Sequence, residues 1–76
     1  MITENDVRDV ATRFLGDVDF WVRRAHGGFS KPCGYEIKIV DDIPGKAHSL
    51  FVHDDNTPSS LVSKVIEFSE EALNPS

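Results

Sequence analysis

A chain of 76 residues with a net charge of −5 reads as one domain, 1–76, near the lower size limit for folding without staples. Its single cysteine, Cys33, excludes an internal disulfide, so an apolar core must hold the fold, and a reducing, cytoplasmic setting is expected. The acidic balance argues against a nucleic-acid binder, which normally carries a basic face. Met1 is followed by acidic residues rather than by a basic, then apolar leader. No apolar run approaches the ~20 residues that cross a bilayer, so no membrane partner is expected.

In chain order, the first element is a helix with complete start signals. Thr3 is a natural N-cap and Asp6 sits at the capping-box position, where Glu or Gln is more usual. Ile2 and Val7 fall at the two positions of a hydrophobic staple. Val7, Val10, Ala11, Phe14 and Leu15 follow helical spacing and form one apolar stripe. Glu4–Arg8 and Asp9–Arg13 are acid-before-base pairs one turn apart. Gly16 is placed to end the helix in a left-handed cap.

Three strand patterns follow. Val18 to Ala25 alternates Val18, Phe20 and Val22 against Asp19, Trp21 and Arg23. Tyr35 to Val40 alternates Tyr35, Ile37 and Ile39 against Glu36 and Lys38, the pattern of a strand buried on one face. Ala47 to His53 contains Leu50-Phe51-Val52, which puts bulk on both faces, and one face cannot take all three. The connection from Ala25 to Gly34 is long for a hairpin and lacks phosphate-loop spacing. In the second connection, Asp41 to Lys46, Pro44-Gly45 suits a type II turn with positive φ at the glycine.

Thr57-Pro58 opens the last helix, with Thr57 as N-cap and Pro58 at the first helical position. Leu61, Val62, Val65, Ile66, Phe68, Ala72 and Leu73 give it a broad apolar face, and Asn74-Pro75 stops it. The expected fold is therefore α+β. Its order is α-β-β-β-α, with a three-stranded antiparallel meander and two helices packed on one face. That element order resembles double-stranded RNA-binding domains. Their second helix begins with a lysine-rich anchor, whereas residues 58–64 here offer Lys64 alone, so the function does not carry over.

No constellation specifies a reaction. His26, Cys33, His48 and His53 are metal-ligand types, but zinc-site spacing is missing, and neither metal nor cofactor is expected. Cys33 lies in a loop with no evident orienting group, and the pairs Asp41-Asp42 and Asp54-Asp55 are explained by turn chemistry. The chain reads as non-catalytic.

What stands out is a surface. In a meander the start of the first strand, the end of the second and the start of the third share one rim. That places Asp17 and Asp19 towards Asp41 and Asp42, with Trp21, Val40 and Phe51 on the sheet face away from the helices. Glu67, Glu70 and Glu71 lie in the C-terminal half of the last helix, against its dipole. Such a rim also simply keeps a small protein soluble. As a binding surface it fits a partner protein with a basic face, including an inhibitor's target: a nucleic-acid-binding complex blocked in the manner of small acidic phage anti-CRISPR or anti-restriction proteins. A homodimer through the open sheet face is also expected. The competing class is a single-strand nucleic-acid binder, stacking bases on Trp21 and Phe51 with Arg23, Arg24, Lys31 and Lys38 on phosphates.

Overall fold

The computed structural model describes residues 1–26 and 33–74. Its elements are α1 (Glu4–Leu15), β1 (Phe20–His26), β2 (Cys33–Ile39), β3 (Ser49–His53) and α2 (Pro58–Leu73). The strands form one antiparallel sheet in the order β1-β2-β3, the expected α+β meander. Strand ends differ from the sequence pattern: β1 starts at Phe20, β2 at Cys33 and β3 at Ser49. Val18 instead folds back on α1, its N–H donating to the Leu15 carbonyl at 3.4 Å. Most of the first connection, residues 27–32, lies outside the described residues.

The start of α1 is built as its sequence dictates. Thr3 Oγ1 accepts from the Asp6 N–H at 3.2 Å, and Asp6 Oδ2 accepts from the Thr3 N–H at 2.9 Å. Two of the helix's orphan donors are thereby satisfied. Ile2 and Val7 are both buried, as a staple requires. The Glu4–Arg8 pair closes at 3.2 Å, whereas Asp9–Arg13 does not appear among the ion pairs of the described residues. Gly16 has φ +65°, but its ψ of −121° takes it out of the left-handed helical basin. Thr57 Oγ1 caps α2 through the Ser60 N–H at 3.2 Å.

Register decides the faces. Val22 pairs with Ile37, Ile37 with Leu50, and Tyr35 with Val52, all on the helix side. Trp21 pairs with Lys38, Arg23 with Glu36, and Phe51 with Glu36 on the other side. The conflict in Leu50-Phe51-Val52 thus resolves with Phe51 outward. Val22, Tyr35, Ile37, Ile39 and Val52 form one core with Val7, Val10, Ala11 and Leu15 of α1 and Leu61, Val65, Phe68 and Ala72 of α2.

Gly45 does not have the positive φ of a type II turn; among the described residues only Gly16 does. Its reason is proximity. A Cβ at Gly45 would collide with the carbonyl oxygens of Glu71 and Ala72, and the Gly45 N–H donates to Ala72 O at 2.9 Å. The β2–β3 connection is therefore laid directly against the end of α2.

Candidate interaction surface at the acidic end

Both helices run the same way along the sheet. Ile2, just before α1, donates its N–H to Asp54 O at the end of β3, and α2 starts from that same end through Thr57. At the opposite end, Val18 bonds back to Leu15, and Gly45 bonds to Ala72. The C-terminal ends of α1 and α2, each equivalent to roughly half a negative charge, therefore lie at the end where β1 begins and β2 finishes.

The predicted rim residues collect there. The Val40 N–H donates to Asp19 O at 3.0 Å, and the Asp19 N–H donates to the Asp41 carboxylate at 3.2 Å. Asp17, Asp19, Asp41 and Asp42 are all exposed. Glu70 and Glu71 of α2 line a separate hollow of about 490 Å³ with Lys46, Ala47 and Asn74. Glu67 and Glu71 border a second groove, of about 340 Å³, which also takes in Phe51, Leu50, Phe68 and Lys64.

Trp21 is half-buried on the sheet face away from the helices, and Val40 beside the rim is 59% exposed. The Arg23 guanidinium lies 5.1 Å from the Trp21 ring centroid and pairs with Glu36 at 2.9 Å. Arg23 thus lies against the indole and pairs with Glu36 while its side chain stays largely exposed. The site residues fall into two groups, Trp21 with the aspartate rim and Phe51 with the α2 glutamates, on opposite edges of the sheet.

The far end carries a cluster that sequence reasoning missed. Arg24 donates to the Tyr35 hydroxyl at 2.6 Å and to Asp54 at 2.9 Å, and its guanidinium lies over the Tyr35 ring. Desolvation acts to lower the Arg24 pKa, but the charge of Tyr35 and the hydrogen bonds to Asp54 and Tyr35 outweigh it and shift it upward. His26 Nδ1 and Cys33 Sγ stand 2.9 Å apart, so Cys33 has the neighbour its sequence context did not suggest. Only the observed register reveals it: with Val22 opposite Ile37, His26 falls opposite Cys33. Among the described residues no three His, Cys, Asp or Glu side chains converge as a metal cage, and no helix is long and apolar enough to cross a membrane. Comparison with protein-family models, with curated proteins and with solved structures finds no match to this chain.

Proposed function

We propose that this chain is a small non-catalytic interaction protein that sets its acidic end, and the adjoining sheet face, against a basic surface of a partner protein. The observation that carries this reading is the shared polarity of the molecule. Both helices point their C-terminal ends to the end of the sheet that carries Asp17, Asp19, Asp41 and Asp42, and Glu70 and Glu71 lie in the last turns of α2. Fixed dipoles and side-chain charges of one sign add, which orients and speeds encounter with a surface of the other sign. Trp21, half-buried beside that end, supplies an aromatic anchor of the kind that dominates interface energetics. In its most specific form the protein is an inhibitor whose carboxylates stand in for phosphates in a nucleic-acid-binding groove.

The test is calorimetric binding to the partner isolated from the native host, across a salt series. Replacing Asp17, Asp19, Asp41 and Asp42 together by Asn should weaken binding and flatten its salt dependence. Trp21→Ala should weaken binding while leaving the salt dependence in place. Unchanged affinity in both variants would mean that the wrong surface has been chosen.

A second reading is favoured by one observation: Trp21 and Phe51 share a face on which Lys38 and Arg23 also lie. That is the composition of a single-strand nucleic-acid platform. A gel shift at two salt concentrations separates the readings, since tight, salt-sensitive retardation of oligonucleotides belongs to the second alone.

A further inference from the structure

The two edges of the sheet are not alike. In an antiparallel ladder, alternate residues turn their backbone groups to the same neighbour. Val40 donates to Asp19 O, so Asp19, Trp21, Arg23 and Ala25 bond towards β2, and Phe20, Val22, Arg24 and His26 face the open edge of β1. That edge carries Arg23 and Arg24 side by side, the charged guard that discourages edge pairing. On β3, Ile39 donates to His48 O and Asp54 donates to Cys33 O, so Ser49, Phe51 and His53 turn outward. The β3 edge, Ser49-Leu50-Phe51-Val52-His53, holds neither Lys, Arg, acid nor proline.

From this asymmetry we infer that the β3 edge is the pairing site for a second copy of this chain, joining two three-stranded sheets into one antiparallel sheet about a two-fold axis at Phe51. The inference does not rest on the proposed acidic-end function, although Glu71 borders both surfaces.

Four observations single out a second copy as the occupant. The strand reads alike in both directions about Phe51: Leu50 meets Val52 of the second copy, Ser49 meets His53, and Phe51 meets itself, with no like-charge pair. The backbone is suited to it. Phe51 exchanges both edge bonds with its counterpart, and the His53 N–H donates to the Ser49 carbonyl of the second copy. The His53 carbonyl already accepts from the Asn56 N–H at 3.2 Å and Asn56 Nδ2 at 2.8 Å, so the Ser49 N–H of the second copy gains no bond there and the new ladder ends at that rung. The groove flanking β3 is lined by charges of both signs, Lys64 with Glu67 and Glu71. A purely basic segment would meet Lys64, whereas a two-fold reverses α2 and sets Lys64 of each copy towards the glutamates of the other. Finally, antiparallel pairing sends the two acidic ends to opposite extremes, where their repulsion is least.

Light scattering on the full chain across a concentration series tests this. Wild type should approach twice its 8.5 kDa mass as concentration rises. Phe51→Lys, which puts two cations on the axis, should raise the dimer dissociation constant by about tenfold or more. Lys64→Glu should weaken the dimer, and Lys64→Glu with Glu67→Lys should restore it. That pair of variants leaves the core untouched and decides the matter if Phe51→Lys fails to fold. A wild type that stays monomeric throughout overturns the inference. So does a dimer that survives these changes and dissociates with Trp21→Ala, which would assign self-association to the sheet face.

Discussion

The backbone N–H of Gly45 donates to the carbonyl oxygen of Ala72 at 2.9 Å, and this contact ties the β2–β3 connection to the last turn of α2. It satisfies one of the carbonyls that a helix end leaves unpaired. It also holds the connection that begins with Asp41 and Asp42 against the C-terminal end of α2.

Gly45→Ala should therefore destabilise the protein although the residue lies outside every helix and strand. The added methyl meets backbone oxygens of Glu71 and Ala72, which cannot rotate aside. A cost of about 1–3 kcal/mol is expected, typical of overpacking. It would be read as a lower urea midpoint with an unchanged slope. A variant as stable as wild type would show that the connection lies farther from α2.

Ile37 is fully buried at the centre of the middle strand, between Val22 and Leu50. Ile37→Ala should cost about 2–5 kcal/mol through lost burial and the cavity left behind. For a chain of 76 residues, total stability is roughly 4–11 kcal/mol at ~0.05–0.15 kcal/mol per residue. The variant should lose a large share of that margin, read as reduced hydrogen-exchange protection of the β2 amides. Protection equal to wild type would contradict the assigned core.

Arg24 predicts a pH-independent effect. Desolvation opposes the shift, but Tyr35 and the hydrogen-bonded neighbours raise its pKa. A raised cationic pKa contributes stability below the unfolded value and loses it only as pH climbs through the folded one. Both lie beyond the alkaline end of ordinary work, so the contribution should be constant across neutral and mildly alkaline pH. Arg24→Gln should lower the thermal midpoint by the same amount at each such pH. A loss confined to one part of that range would point to another titrating group as the source.

Thr3→Ala removes one bond of the α1 capping box and orphans the Asp6 N–H. The expected cost is about 0.5–2 kcal/mol. Thr57→Ala should cost a similar amount, and the two should add because the caps serve different helices. Chemical denaturation of both single variants and the double checks this; a double variant no worse than either single one would refute the independence of the caps.

The elements of this fold were legible because their signals are local. Thr3 and Asp6 are three residues apart, and the Tyr35-Ile37-Ile39 alternation needs no knowledge of its neighbours. The approach of Asp19 to Asp41 also followed from meander topology, since antiparallel strands must share their rims. What required the folded chain was everything set by register and packing between distant residues. Phe51 faces outward because Leu50 is opposite Ile37. Gly45 is small because the end of α2 lies against it, and Cys33 meets His26 because the ladder extends to that rung. The two helices add their fields to the aspartates because both descend towards the same end. Periodicity and capping are written into neighbouring residues, but the distance between two remote side chains depends on how the whole core closes, which no short stretch of this sequence contains.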